Sequence, residues 1–464
     1  MNGKANFLGA VMAGSLLSLG LIVAEPAQAM SDAGADPYTI DATGVNTDWE
    51  SRASTPSQGR ILEVDGRRIQ QRYTFGGFGE QYFGEWPTHA YETVGYPEPR
   101  RVDMPRDIAG DPARGAELFK DRGKGPCHAC HTVPDPEIWP LGNVGPDLRT
   151  IGYRGLPDSY LYQVVFDPRV IFGMDSPMPP FGTSGMWTEE EIVHVVAYLQ
   201  TLVGDPPGTP ERVTEDRQWD PRTRSVVRPD YGDPLDLFAN PALGATDSVA
   251  VSLWTREGPE GKSCASCHGA LEPADDLRPL GVIPEFADVG ASYPKWFDEY
   301  RRMMSVEDLL AVHAPETTGI EMPSQDLENL TMSILVRMQS NGRPYRLDTE
   351  DPNVQAAIER GERLFHRPVG QRHHSCADCH TPRGGADKFL GGRFLANVDD
   401  GMLNHPYWRT AQQRIWDPRI RMQWCMTPLG TNYLPGDSPE YADLETYIIY
   451  KQQGVEVQVP RQSH

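Results

Sequence analysis

Apolar residues recur at helical spacing in three short stretches, and each stretch ends in a stop signal. In the first, Thr188 and Glu191 make a capping-box pair, and Ile192, Val195, Val196 and Leu199 form one stripe before Gly204 and Pro206. In the second, Leu327, Leu330, Ile334, Leu335 and Met338 repeat the stripe, which Asn341-Gly342 closes. In the third, Ser438-Pro439 opens a helix that turns Tyr441, Leu444 and Ile448 inward and stops at Gly454. A shorter leading helix is predicted ahead of each. Arg114-Gly-Ala-Glu-Leu-Phe119 and Arg360-Gly-Glu-Arg-Leu-Phe365 are near copies, with Leu253-Trp254 placed comparably. The pattern reads as a divergent repeat of whole domains, over residues 105–204, 238–345 and 346–464. Residues 205–237 are rich in Pro, Arg and Asp, lack periodicity, and read as a linker. Residues 30–104 are polar and Gly-rich with scattered aromatics, an irregular extension in which His89 is a surface histidine.

Composition sharpens this picture. The 464 residues leave room for two to four domains, and 42 Pro with 45 Gly argue against a sheet-rich fold. The expected class is mainly α, with three tandem domains and long irregular loops. Lys4, the apolar run from Phe7 to Val23 and Ala27-Gln-Ala29 read as a cleavable secretory signal over residues 1–29. An uncleaved anchor is the alternative, but the run is short and broken by Gly and Ser, and no later stretch is apolar enough to span a bilayer. The mature chain is expected in the periplasm. A formal charge of −22 disfavours nucleic acid and suits a partner with a basic patch.

Six of the seven cysteines fall in three Cys-x-x-Cys-His runs: Cys127, Cys130 and His131; Cys264, Cys267 and His268; Cys376, Cys379 and His380. One such run shares its first half with zinc and dithiol sites, but three copies inside a repeated helical frame behind an export signal point to three covalently bound haem c groups. Each histidine is then an axial iron ligand, and the expected fold is mainly α with three tandem class I-type cytochrome c domains and long irregular loops. For the sixth ligand of the first haem, Met178 lies in a proline-stiffened loop, Pro177-Met-Pro-Pro-Phe181, with Met174 and Met186 as competitors. In the third unit Cys425 holds the corresponding place before the closing helix. In the middle unit His313 is the first candidate and Met322 the second.

Cys425 is the only cysteine outside the three runs, so it has no partner thiol in its own chain. A thiolate bound to haem iron is electron-rich and redox-active. Between Thr381 and Cys425 seven basic residues (Arg383, Lys388, Arg393, Arg409, Arg414, Arg419, Arg421) face four acidic ones, in a chain that is otherwise strongly negative. That reversal favours a small dianion, and Arg421 offers the planar fork suited to a sulfonate. The same arginines are also natural partners of haem propionates.

Here a resemblance becomes specific. Residues from about 105 to 203, through Cys127-His-Ala-Cys-His131, Gly142-Asn-Val-Gly-Pro-Asp-Leu148 and Met178-Pro-Pro-Phe-Gly182, resemble the SoxX cytochrome of bacterial sulfur oxidation. Residues from about 240 to 455 resemble its partner SoxA, through Ser263 to Gly269, Tyr293-Pro-Lys-Trp296, Ser375 to His380, Arg421 to Cys425 and Ser438 to Tyr447. The resemblance implies a SoxX–SoxA fusion acting as an L-cysteine S-thiosulfotransferase: thiosulfate is oxidatively coupled to a cysteine of a SoxYZ-type carrier, and two electrons pass to a small c-type cytochrome. It implies further that Cys425 carries the sulfur as a persulfide, that Arg421 is the active-site arginine, that His380 and Cys425 ligate the active-site haem, and that His131 and Met178 hold the exit haem. A methionine ligand raises a haem potential, so electrons are expected to run from the third unit to the first. SoxA proteins with a middle haem place a cysteine where this chain has His313, which implies altered ligation and a raised potential there. Two rivals stand beside this reading: a thiosulfate dehydrogenase that forms tetrathionate without a carrier, and a plain electron-transfer cytochrome in which Cys425 is only a ligand.

Overall fold

Capping chemistry sets the helix ends in this computed structural model. It describes residues 98–463, except 122, 136–141, 175, 205–218, 221–224, 227–232, 370–371, 373, 392, 400–401, 403 and 430–435, and two strands further upstream. The expected signal segment, most of the extension and most of the linker lie outside the described residues. Helix α1, Pro112–Lys120, starts where the Asp111 carboxylate accepts hydrogen bonds from the Ala113 and Arg114 amides. Helix α2 is Asp158–Phe166, and α3, Glu189–Gln200, carries the complete Thr188–Glu191 capping box. The second frame has α4, Pro241–Thr246, which continues through a π-helical turn at Asp247–Val251 into Ser252–Thr255. It also has α5, Val306–Thr318, and α6, Leu327–Arg337. The third frame has α7, Pro352–His366, α8, Pro418–Leu429, and α9, Pro439–Lys451.

The leading and closing helices of a frame cross at a glycine. A Cβ on Gly115 of α1 would lie 2.0 Å from the carbonyl oxygen of His194 on α3, and one on Gly361 of α7 would lie 2.2 Å from that of Asp443 on α9. Only a residue without a side chain admits that approach. Each glycine stands four positions before a buried aromatic, Phe119 or Phe365. The same spacing before Trp254 holds Ala250, which is fully buried in the π turn.

The first frame has its own core, in which Leu118, Phe119, Tyr162, Phe166, Ile192 and Val196 meet. The second and third share one. Ala242, Met303, Leu330 and Ile334 pack with Trp416, Ile420, Ala442 and Ile449, on both sides of position 345. Beneath that core lies a buried ion network. Arg337 donates to Glu307 at 3.0 and 2.7 Å and to Glu445 at 3.2 Å, while Arg419 donates to Asp308 at 2.7 and 2.6 Å and to Glu445 at 3.2 Å. Burial alone would raise Glu307, yet the Arg337 guanidinium brings its carboxyl down to about 2.

Strand content is slight, as the composition implied. Within the stretch read as irregular, Ile61–Val64 pairs antiparallel with Arg67–Gln70. Asp65-Gly66, between the two in sequence, is a dipeptide of the hairpin-turn type. Tyr407–Arg409 pairs with Arg414–Trp416 antiparallel and with Arg461–Ser463 in parallel, tying the chain end to the third frame. A small hairpin, Phe389–Leu390 with Arg393–Phe394, reaches the first frame. Phe389 N donates to Asn143 Oδ1 at 2.7 Å, Asn143 N to Phe389 O at 3.0 Å, and Gly391 N to Ala129 O at 2.8 Å. Among the described residues no helix is long and apolar enough to cross a membrane.

Candidate metal centres and thiolate site

Each Cys-x-x-Cys-His run forms a helical turn that begins seven to ten positions after its leading helix ends: Cys127–Ala129, Cys264–His268 and Cys376–His380. Ser263 and Ser375 cap the latter two by accepting from the Ser266 and Asp378 amides. None of the seven cysteines is in a disulfide. Burial pushes the Cys130 thiol up to about 11 and the Cys376 thiol up to about 12, with the nearby Cys425 adding to the second. Burial thus favours the neutral form of both thiols.

The three histidines share one feature. His131 Nδ1–H donates to the Pro146 carbonyl at 2.8 Å, His380 Nδ1–H to the Ala396 carbonyl at 2.7 Å, and His268 Nδ1 bonds the Glu285 carboxylate. With Nδ1 taken, Nε2 is left as the ligating nitrogen, the tautomer an iron-bound imidazole needs. The loop behind His131 is shaped to its ring, because a Cβ on Gly145 would lie 2.3 Å from the ring carbon Cε1.

In the second frame a further imidazole meets the run. His313, on α5, has its ring centre 6.1 Å from that of His268, while Phe286 and Trp254 line the other sides of His268 at 4.9 and 6.1 Å. One metal ion bound by two imidazoles at roughly 2 Å from each nitrogen holds ring centres about 6 Å apart. The pair thus fits a bis-histidine iron. Met322, the alternative, is fully buried in an apolar core with Leu335 and Met338. In the first frame Met178 and Met186 both border the core, whereas Met174 is 50% exposed.

The third frame gathers the most chemistry. Helix α8 sets Arg421 and Cys425 one turn apart, on one face. Burial, followed by the nearby Cys425, perturbs Arg421, the net effect raising its pKa and holding the cation. Burial and the Arg421 charge bring His380 down to about 4 despite its bond to Ala396, so Cys425, Arg421 and the third run occupy one neighbourhood. Trp424, beside Cys425, has Arg421 Cζ 5.0 Å and Arg393 Cζ 4.3 Å from its ring centre, and the Trp416 ring 6.1 Å away. Arg421 Nη1 and His405 Nε2 are buried without a protein partner. Two orphaned polar atoms beside a haem run suit a porphyrin carboxylate or an oxyanion.

The seven basic residues counted as one cationic region divide on inspection. Arg419 is fully committed to the buried network, and Lys388 Nζ donates to the Gly384 and Val144 carbonyls at 3.1 and 3.3 Å. Arg409 lies over Trp416 at 5.4 Å and donates to Gln412. His405 and Trp424 carry no motif signal, and only their contacts bring them to notice. The structure also sets the first and third runs together: burial and then Cys130 raise the Cys379 thiol, and the hairpin at Phe389–Phe394 bonds both sides of the first run.

Two sequence families match the chain. Residues 249–345 match the SoxA/TsdA cytochrome c domain, and residues 110–199 match cytochrome C oxidase, cbb3-type, subunit III. Both are cytochrome c domains, which bind haem c covalently. The L-cysteine S-thiosulfotransferase subunit SoxA of Pseudaminobacter salicylatoxidans is 30% identical over 227 residues, covering 48% of this chain and 74% of that protein. The subunit of the same name from Rhodovulum sulfidophilum is 28% identical over 232 residues, covering 49% and 74%. The crystal structure of SoxXA from P. pantotrophus aligns with 49% of this chain and 80% of its own, at 22% identity and a TM-score of 0.41.

Proposed function

The chain belongs to the SoxA family of L-cysteine S-thiosulfotransferase subunits, and we propose that it is a periplasmic trihaem enzyme that couples thiosulfate to a cysteine of a SoxYZ-type carrier protein. In this reading residues 105–204 form a SoxX-like cytochrome domain fused, through a linker, to two SoxA-like domains at 238–345 and 346–464, behind a cleaved signal at 1–29. The carrying observation is the meeting of Cys425, Arg421 and the third Cys-x-x-Cys-His run around α8.

The reaction forms a sulfur–sulfur bond between the sulfane sulfur of thiosulfate and the carrier thiol. The thiol proton goes to solvent and two electrons leave. Bound haems would supply one-electron acceptors for that pair, with a small c-type cytochrome as the final acceptor. Cys425 Sγ carries the transferring sulfur, and Arg421, with a buried unpartnered Nη1, binds the sulfonate oxygens. His380 and Cys425 would hold the active-site haem, His131 and Met178 the exit haem, and His268 with His313 the middle one. The covalent attachments are Cys127 with Cys130, Cys264 with Cys267, and Cys376 with Cys379. Hydrogen bonds from the Phe389–Phe394 hairpin to Ala129 of the first run and to Asn143 support a short electron path from the third frame to the exit haem. A redox titration in which the Met178 haem has the lowest potential of the three refutes that direction.

The test is Cys425→Met in the holo-protein. Intact mass should still report three haems, while carrier-dependent coupling of thiosulfate falls to background. Full retention of coupling rules out Cys425 as the sulfur carrier, whereas a wild type that transfers electrons without coupling is an electron carrier only. The matched family model is described as SoxA/TsdA, and an assay without carrier that yields tetrathionate would select the thiosulfate dehydrogenase reading instead.

A further inference from the structure

Met178 stands in a loop with few means of holding itself. Pro177, Pro179 and Pro180 carry no backbone N–H, so the loop is fixed chiefly through its carbonyls. The Pro180 carbonyl accepts from Ser184 N at 2.9 Å, inside the first frame. The Pro177 carbonyl accepts from Nε2–H of His374, which is 197 positions away and stands just before the third run. A carbonyl can only accept, so the bond fixes the proton on Nε2. His374 is itself anchored: Val369 N donates to its carbonyl at 2.9 Å, and its own amide donates back at 3.3 Å. Arg372, between the two in sequence, donates its amide at 3.3 Å to the carbonyl of Leu429, the last residue of α8 and one turn past Cys425. The Arg372 side chain reaches the first frame as well. A Cβ on Gly125 would lie 3.7 Å from Arg372 Nε, 3.1 Å from Met186 Cε and 3.0 Å from Phe181 Cε1.

We propose that His374 is a positioning residue for the sixth ligand of the first haem. Its Nε2–H grips the carbonyl one residue before Met178, so the third frame holds the loop from which the first frame presents its methionine sulfur. The inference deepens the function proposed above and rests on Met178 being that ligand. A thioether is a neutral, weak donor, so its hold on iron depends on a loop already fixed in place. Outer contacts that orient a ligand typically carry about ten- to a hundredfold of its affinity. The same short segment meets the end of α8 through Arg372, so the helix that bears Cys425 and the loop that bears Met178 share one support. The frame that would lose electrons is thereby registered against the ligand of the haem that would take them.

The test uses the ferric holo-protein, in which the far-red charge-transfer band of a methionine-ligated haem reads the bond directly. His374→Leu removes the donor and keeps an apolar side chain in its place. It should weaken that band, lower the midpoint potential of that haem, since methionine raises it, and tighten binding of added imidazole there by roughly ten- to a hundredfold. The other two haems should keep their potentials. His374→Gln, which returns an N–H at comparable reach, should recover most of the band. Met178→Leu should abolish it. A band that survives Met178→Leu overturns the ligand assignment and the proposal with it. A band lost in Met178→Leu but kept in His374→Leu, with wild-type potential and imidazole affinity, overturns the proposal alone and leaves the assignment standing. Should His374→Leu fail to retain three haems, the Gln variant decides: a wild-type spectrum upholds the bond, and a lost band overturns it.

Discussion

Asp417 caps α8 with one oxygen and wastes the other. Its Oδ1 accepts from the Ile420 amide at 2.6 Å, while Oδ2 is buried with no partner. Burial, reinforced by the charge of Glu307, raises its pKa from 3.8 to about 7. A carboxyl whose folded value is raised adds stability that is complete below its unfolded value and is lost as pH rises through the folded one. Asp417→Asn keeps the capping oxygen and abolishes the titration. The variant should therefore gain in Tm relative to wild type as pH rises from about 4 to about 7, and a pH-independent difference would count against the assignment. The consequence reaches the site, because Asp417 begins the helix that carries Arg421 and Cys425.

At the scale of the element, the helix crossings are the sharpest test. Replacing a mid-helix glycine with alanine ordinarily stabilises the helix by up to about 1 kcal/mol. At Gly115 and Gly361 the new methyl would meet a backbone carbonyl at 2.0 and 2.2 Å, which cannot swing aside as a flexible side chain can. Overpacking of that kind costs about 1–3 kcal/mol, so Gly361→Ala should lower Tm despite its better propensity. A raised Tm would mean the helices separate without penalty. Helix α8 illustrates the opposite case. It buries Ile420, Gln423 and Met426 while Arg421, Trp424 and Cys425 stay partly accessible, so it shows no single apolar stripe.

At the scale of the molecule, the second and third frames behave as one body, joined by a shared core and by the network through Arg337 and Arg419. Arg419→Met leaves Asp308 without the guanidinium that grips it by two hydrogen bonds, and Glu445 with one cation fewer. Removing one member of a buried ion pair costs about 3–5 kcal/mol. The loss should change little between low and high salt, because buried pairs are poorly screened. Denaturation of the variant at two ionic strengths checks both points, and a small or strongly salt-dependent loss would show the network to be solvated. The same network excludes Arg419 from any part in anion binding.

Much of this protein was settled by its residues alone. The three Cys-x-x-Cys-His runs, the three closing helices with the Thr188–Glu191 capping box of the first, and the position of Cys425 outside the runs all depend on neighbours within a few positions, where spacing and capping act directly. The repeat of Arg-Gly ahead of Leu-Phe likewise marked the crossings before their geometry was visible. Tertiary structure decided the rest. It brought His313 to His268, sent Arg419 inward and Arg393 to Trp424, and set His405 with its orphaned nitrogen beside Arg421. It also placed the first run against the third through a hairpin that no periodicity announces. The physical reason is range: each of these pairings joins residues tens to hundreds of positions apart, and whether a buried cation meets a carboxylate, an aromatic face or a substrate depends on which helices pack together.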